Sequence, residues 1–218
     1  MQHKTIMAQG GTVHYWIDKK ENMADSIVFT HGLTADHTMF ERQVSYFSNN
    51  YTVLVWDVPM HGLSRPYQSF SYRDTAEILH SIQRKEGIEK TFLVGMSMGG
   101  YPSQHFADSY PDMVKGLVAL DTTPLGFRYY SKSDLWWLRQ VAPMAKCFPT
   151  NILRKSMAWS VSMSRYSYQK MLSMLKPLSK AEIIMQMKIA YEYFIMENKD
   201  VDFPFPVLIL VGDNDSTG

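Results

Sequence analysis

The segment Gly95-Met96-Ser97-Met98-Gly99-Gly100 carries the strongest structural signal in this sequence. It follows the short apolar run Thr91 to Val94 and begins a helical pattern, Met98 to Ser109, that Pro111 ends. A Gly-x-Ser-x-Gly motif between a strand and a helix predicts a sharp turn that presents the serine hydroxyl above the strand end. Backbone N–H groups at the start of the helix can stabilise a developing negative charge there. The motif therefore predicts Ser97 as a nucleophile above a sheet.

Short apolar runs rich in β-branched residues recur along the chain and predict strands that are covered on both faces. These runs are Val13 to Asp18, Ser26 to Thr30, Tyr51 to Asp57, Thr91 to Gly95, Val114 to Asp121 and Pro206 to Gly212. Helical patterns lie between them: Asp36 is placed to cap one, and another runs from a possible capping box at Ser71 and Asp74 to Gly87. The alternation predicts an α/β fold with a mostly parallel, doubly wound sheet and right-handed crossovers.

Residues 124–200 interrupt this alternation, because they show no strand pattern and are rich in Met, Trp and Tyr. Within them, Ser179 and Glu182 form a capping box that is followed by an apolar helical stripe. We therefore predict a core of residues 1–123 and 201–218. Residues 124–200 are predicted to form an inserted helical cap over the carboxyl ends of the strands.

The composition is typical of a globular protein with nearly balanced charge. The 218 residues are 45% hydrophobic, and 22 basic against 21 acidic residues give a formal net charge of +1. This balance does not favour nucleic acid or an anionic membrane as a partner, and no run reaches the roughly 18 apolar residues of a membrane span. Cys147 is the only cysteine, so we expect no intramolecular disulfide and a cytoplasmic location. His, Cys and carboxylate residues do not cluster with ligand spacing, so we expect neither a metal nor an organic cofactor.

Three further segments, together with the Ser97 motif, resemble the α/β-hydrolase superfamily over nearly the whole chain. His31-Gly32-Leu33 follows a predicted strand, as the His-Gly oxyanion loop of that family does. Asp57-Val58-Pro59-Met60-His61-Gly62-Leu63-Ser64 is similar to the family's Asp-x-Pro-Gly-His-Gly-x-Ser loop, with Met60 in place of the usual glycine. Pro206 to Asp215 is similar to the strand and loop that present the family's catalytic acid.

The resemblance implies a catalytic role for several of these residues. Ser97 would be the nucleophile, and the backbone N–H groups of Leu33 and Met98 would form the oxyanion hole. Asp215, or Asp213 as the alternative, would be the acid that orients a histidine and stabilises its charged form. The Asp-Asn-Asp run is also good turn chemistry, so both aspartates have a purely structural alternative.

The implied reaction is hydrolysis of a small carboxylic ester through an acyl-enzyme. Candidate substrate-binding residues are His31 in the oxyanion loop and the cap residues Trp136, Trp137, Met157 and Trp159. Core packing is the favoured explanation of the cap residues. In this family the usual role of His31 and His61 is to hold their loops by hydrogen bonds, and the catalytic base is the less favoured alternative. Thioesterases, lyases, perhydrolases and carbon–carbon bond hydrolases of the same superfamily also fit a serine at position 97.

The general base is missing from the expected position, because this family places its histidine after the acid. All seven histidines precede Asp121, and none follows Asp215. The family's last helix, last strand and histidine loop would then be absent, which leaves the final strand at a sheet edge. Three explanations stay open. The chain is a fragment of a longer protein, or a truncated and non-catalytic binding protein, or a chain that a partner or a second copy completes.

Overall fold

A computed structural model describes residues 1–20 and 25–213, and its seven strands form a single sheet. The strands are β1 (Gln2–Ala8), β2 (Gly11–Asp18), β3 (Ser26–Thr30), β4 (Thr52–Trp56), β5 (Thr91–Met96), β6 (Val114–Leu120) and β7 (Val207–Leu210). Their order is β1-β2-β4-β3-β5-β6-β7, in which β2 runs antiparallel to β1 and β4 and all other neighbours are parallel. This mixed sheet confirms the predicted fold class.

Strand β1 was not among the predicted strands. It pairs along its whole length with β2, yet its residues alternate between exposed and half-buried. An outer strand with polar side chains lacks the continuous apolar run that marks the central strands. The central strands β3 and β4 are buried at every position, which is why their sequences are easily recognised.

Seven α-helices connect or follow the strands, and none of the described helices is both long and apolar enough to cross a membrane. They are α1 (Glu41–Phe47), α2 (Tyr72–Glu86), α3 (Gly100–Ser109), α4 (Lys132–Ala145), α5 (Thr150–Ser160), α6 (Arg165–Leu175) and α7 (Lys180–Glu197). The Ser71 hydroxyl accepts from the N–H of Asp74 at the start of α2, as predicted. Asp36 caps a 3-10 turn that precedes α1, so the α-helix begins later than its apolar pattern indicates.

Helices cover the two faces of the sheet unequally. On one face, α2 and α3 pack on fully buried residues such as Leu54, Trp56 and Leu93. The other face packs on the short helix α1 and the turn before it, where Phe40 contacts Phe29. Strand β7 lies at the edge of the described sheet, and its four apolar residues are 43–64% exposed.

Helices α4 to α7 follow β6 and precede β7 in the chain, as predicted for the inserted segment. They share an apolar cluster of their own, which includes Leu153, Leu175 and Ile183 and reaches Ala35 in the loop after β3. Helix α7 returns to the core, where the Tyr72 hydroxyl donates to the Ala190 carbonyl at 3.0 Å. The domain boundaries at residues 124 and 200 stay a prediction.

We predict that Gly87→Ala lowers the free energy of unfolding by about 1 kcal/mol, measured by urea denaturation. Gly87 ends α2 with φ +68°, and a Cβ built there meets no heavy atom within 4 Å, so the cost is backbone strain alone. Gly87→Asn is the matched control, because Asn tolerates the left-handed region better than Ala. An Ala variant as stable as the wild type would contradict the prediction.

Candidate active site

The candidate catalytic segments meet at one edge of the sheet. Strands β3, β4 and β5 are parallel, so their carboxyl ends lie side by side. His31 follows β3, Asp57 follows β4 and Ser97 follows β5. Because β5 lies between β3 and β6, Ser97 stands at the centre of this edge.

Ser97 has φ +50° and an exposed side chain at the turn between β5 and α3. Such a backbone is rare for a residue other than glycine. Two glycines make room for the turn. A Cβ on Gly99 would lie 2.2 Å from the Thr30 carbonyl oxygen, and a Cβ on Gly95 would lie 2.6 Å from the Cα of Gly100. The predicted sharp turn at Ser97, called the elbow below, therefore depends on close backbone contacts that leave no space for side chains at Gly95 and Gly99.

The Gly32-Leu33 loop lies against this elbow. A Cβ built on Gly32 would be 3.4 Å from Ser97 Cβ and 4.0 Å from Ser97 Oγ. Met98, which follows the serine, is 4% exposed. The structure thus brings together the two segments whose N–H groups are candidates for the oxyanion hole. The assignment of Leu33 and Met98 to that role stays a prediction.

His31 links the loops after β3 and β4. Its Nε2 accepts from the N–H of Val58 at 3.1 Å, so its Nδ1 carries the proton and donates to the Gly32 carbonyl at 2.8 Å. The ring is 1% exposed, and burial lowers the pKa of His31 below its ordinary value. This geometry fits a neutral histidine that holds the loops, and its predicted contact with substrate stays a prediction.

Asp57 organises the loop after β4. Its Oδ1 accepts from the backbone N–H and from Nδ1 of His37, and its Oδ2 accepts from the N–H of Leu63 at 2.6 Å. Burial acts to raise the pKa of Asp57, but the hydrogen bonds from His37 hold it below its ordinary value. A Cβ on Gly62 would lie 2.1 Å from Asp57 Oδ2, so the loop closes on the carboxylate itself. His37 lies in no sequence motif and would be expected on the surface or in packing, but in the structure it is the side-chain partner of Asp57.

His61 lies beneath the same loops with its ring centroid 5.3 Å from that of His31. Its Nδ1 donates to the Pro59 carbonyl at 3.1 Å, whereas its Nε2 is buried without a partner. Burial lowers the pKa of His61 to about 3. Within residues 1–20 and 25–213, no histidine side chain hydrogen-bonds the Ser97 hydroxyl.

The segment after β7 approaches the site through Asp121. Gly212 donates its N–H to Asp121 Oδ1 at 2.7 Å. Asp213 is exposed at the end of the described residues, and the predicted acid Asp215 lies outside them. A cleft of about 320 Å³, lined in part by Met96 and Asp121, opens between the β5–β7 strand ends and the start of α1.

Sequence reasoning missed Thr122, whose hydroxyl donates to the Ser97 carbonyl at 2.7 Å and so braces the elbow. A Cβ on Gly100 would lie 2.2 Å from the same hydroxyl oxygen. Thr122 belongs to no motif. Its only signal is that the strand before it, β6, neighbours β5 in parallel register, which requires knowledge of the sheet order.

The tryptophans proposed to bind substrate are largely exposed on the inserted helices. The rings of Trp136 and Trp137 meet edge to face on α4, with centroids 4.8 Å apart. Each exposes more than half of its surface, as does Trp159 on α5, whereas Met157 packs partly buried against the core of the inserted helices. Their role in binding substrate stays a prediction.

We predict that Gly99→Ala destabilises the protein by roughly 1–3 kcal/mol or more, because the new methyl group meets backbone oxygens of β3 that cannot move aside. Urea denaturation of Gly99→Ala and of Gly87→Ala distinguishes this steric clash from backbone strain alone, which is the only cost expected in Gly87→Ala. A Gly99→Ala variant that loses less stability than Gly87→Ala would contradict the close contact.

We predict that His61 makes stability rise with pH between about 3 and 6.5. In this window the unfolded histidine binds a proton and the buried one does not, so acidification favours unfolding by up to about 1.4 kcal/mol per pH unit. Urea denaturation of His61→Gln from pH 4.5 to 6.5 should show a correspondingly smaller slope. Gly87→Ala is the control, because it should lower stability without changing the slope. An unchanged slope in His61→Gln would contradict the prediction.

Comparison with known proteins finds relatives that are described as hydrolases. A putative esterase/lipase from Haemophilus influenzae is 26% identical over 135 residues, which are 62% of this chain and 47% of that protein. The 3-oxoadipate enol-lactonase 1 of Acinetobacter baylyi is 35% identical over 92 residues, 42% of this chain and 34% of that enzyme. The chain thus spans about half or less of the length of these curated relatives.

The solved structure of a thermophilic esterase from Thermogutta terrifontis superimposes with a TM-score of 0.73 at 21% identity, covering 97% of this chain and 80% of that one. This likeness shows the shared fold. The model of the alpha/beta hydrolase fold family matches residues 25–217, which is most of the sequence. The chain belongs to the alpha/beta hydrolase family.

Proposed function

We propose that this chain carries the nucleophile and oxyanion loop of a serine hydrolase that cleaves carboxylic esters. The observation that supports this most is the left-handed backbone of Ser97, which holds an exposed hydroxyl at the centre of the strand ends beside the Gly32 loop. A strained nucleophile backed by a helix N-terminus is the arrangement that acyl transfer uses.

In the proposed reaction, Ser97 Oγ gives its proton to a base and attacks the ester carbonyl carbon. The N–H groups of Leu33 and Met98 stabilise the negative oxygen of the tetrahedral intermediate; one such donor contributes about 10²–10³ in rate in comparable enzymes. The intermediate collapses to an acyl-enzyme as the alcohol leaves with a proton. Water then attacks the acyl-enzyme, which releases the acid and restores the serine.

The base in this proposal is a histidine other than His31 and His61, because both are buried and hydrogen-bonded within their loops. A longer chain, a partner or a second copy would each supply it. Asp215, or Asp213, would orient that histidine from the segment after β7. His37 already donates to Asp57, so it is not free for this task.

The relatives favour an ester as the substrate class. One is described as a putative esterase/lipase, another as an enol-lactonase, and the matching structure is that of an esterase. A lactone is a cyclic ester, so all three descriptions name the same type of bond. The apolar cap and its exposed tryptophans suit an apolar acyl or alcohol group.

The test is the intact mass of the protein after incubation with a fluorophosphonate, which forms a stable adduct with an activated serine. We expect a single adduct, lost in Ser97→Ala and kept in Ser109→Ala, an exposed serine at the end of α3. Hydrolysis of p-nitrophenyl acetate and longer p-nitrophenyl esters, measured as kcat/KM, should depend on Ser97 in the same way.

The same mass reading shows whether further residues accompany the chain. Labelling that survives in Ser97→Ala would contradict the assignment of the nucleophile. A protein that neither forms an adduct nor hydrolyses any ester would mean that Ser97 is not activated in this chain, as in a fragment that lacks the base or in a non-catalytic binding protein.

A further inference from the structure

One run of the inserted helices is strongly basic, although the whole chain is nearly neutral. Between Asp134 and Glu182 the sequence contains eight Lys or Arg residues and no Asp or Glu. They are Arg139, Lys146, Arg154, Lys155, Arg165, Lys170, Lys176 and Lys180. A run of one sign creates a local potential that attracts anions, and the formal net charge of +1 conceals it.

Within this run, the packing of α4 against α7 leaves a cleft of about 750 Å³. This volume lies within the ~300–1,000 Å³ that is usual for small-molecule sites. Leu138 and Ala142 of α4 and Ile184 of α7 supply apolar lining. The cleft lining includes neither Ser97 nor the residues of the oxyanion loop, so the cleft is separate from the candidate active site.

Cations line both sides of the cleft. Arg139 lies on α4 and Lys146 directly follows its end, about two turns away. Lys180 and Lys188 lie about two turns apart on α7. The only carboxylate in the lining is Glu192, whose Oε1 lies 3.9 Å from the Nζ of Lys188.

The end of the cleft formed by Lys146 and Lys180 is free of carboxylates in its lining. Lys180 Nζ donates to the Lys146 carbonyl at 2.7 Å, which places its ammonium group at the carboxyl end of α4. An ammonium group has three N–H donors, so two remain for a ligand. Glu182, the nearest acid in sequence, is bonded to Arg65 and to the backbone of Ser179.

We propose that this cleft binds a single-chain amphiphile with a carboxylate or phosphate head group. The apolar lining between the helices suits one hydrocarbon chain, and the Lys146–Lys180 end suits its anionic head. A cleft between two helices, open to solvent on one side, favours one chain over a flat bilayer surface or a nucleic acid. The inference does not depend on the proposed ester hydrolysis.

The experiment is isothermal titration calorimetry with dodecyl phosphate below its micelle concentration. We expect saturable binding of one molecule per chain. Dodecyl maltoside, which keeps the chain and lacks the charge, and ethyl phosphate, which keeps the charge and lacks the chain, should each bind at least tenfold more weakly. Equal binding of dodecyl maltoside or of ethyl phosphate would overturn the proposal.

A pair of matched variants locates the site. The double variant Lys146→Gln/Lys180→Gln should weaken dodecyl phosphate binding at least tenfold. The double variant Lys155→Gln/Lys176→Gln removes two exposed cations of the same basic run that do not line the cleft, and its affinity should change less than twofold. Equal losses in the two variants would show diffuse attraction and overturn the site. No loss in the first variant would do the same.

A second variant tests the apolar lining. Ile184→Asn keeps the charges and adds a polar group to the lining, so it should weaken dodecyl phosphate while leaving ethyl phosphate unchanged. Flotation with vesicles of phosphatidylcholine and phosphatidylglycerol measures the alternative, which is binding to an anionic membrane surface. Binding to these vesicles without saturable binding of dodecyl phosphate would replace the cleft with a membrane-surface role.

Discussion

The carbonyl oxygens at the end of β3 lie so near the start of α3 that only glycine fits at position 99. This close approach fixes the path of the chain between β5 and α3, and with it the left-handed backbone at Ser97. The Gly32 loop follows β3 directly, so the same contact sets its distance from the serine. Thr122 completes the arrangement from the opposite neighbour, β6. The candidate site is thus a product of the order β3-β5-β6 rather than of any one segment.

Asp57 and His31 stabilise the loops around the serine, although neither side chain hydrogen-bonds its hydroxyl within the described part of the chain. Asp57 accepts four hydrogen bonds from its neighbours, and in one of them the Ser64 hydroxyl donates to the Asp57 backbone carbonyl at 2.8 Å. His31 ties this loop to the one after β3. Both histidines of these loops stay neutral, because burial penalises their charged forms. The proposed general base for Ser97 is therefore a group other than these two histidines.

Sequence patterns could identify what depends on local chemistry. The Gly-x-Ser-x-Gly motif, the buried central strands and the capping box at Ser179 each have a local physical cause, and the structure contains them. The strand predicted at Pro206 to Gly212 is present as β7, but it is exposed rather than covered on both faces. Patterns could not identify Thr122, or the pairing of His37 with Asp57, since both depend on which strands are neighbours. Strand β1 was not predicted because it is an outer strand whose polar, partly exposed residues form no continuous apolar run. The basic run was also not noticed from the net charge, because acidic residues elsewhere in the chain balance its positive charges.

The exposed strand β7 has a consequence for how residues 1–218 behave when they are prepared on their own at high concentration. It presents apolar side chains, and it pairs with β6 on one side only within the described sheet. Such an edge is a template onto which another extended segment adds by main-chain hydrogen bonding. Handling conditions that keep the chain dilute, or a charged residue introduced on the outer side of this strand, would protect it from self-assembly.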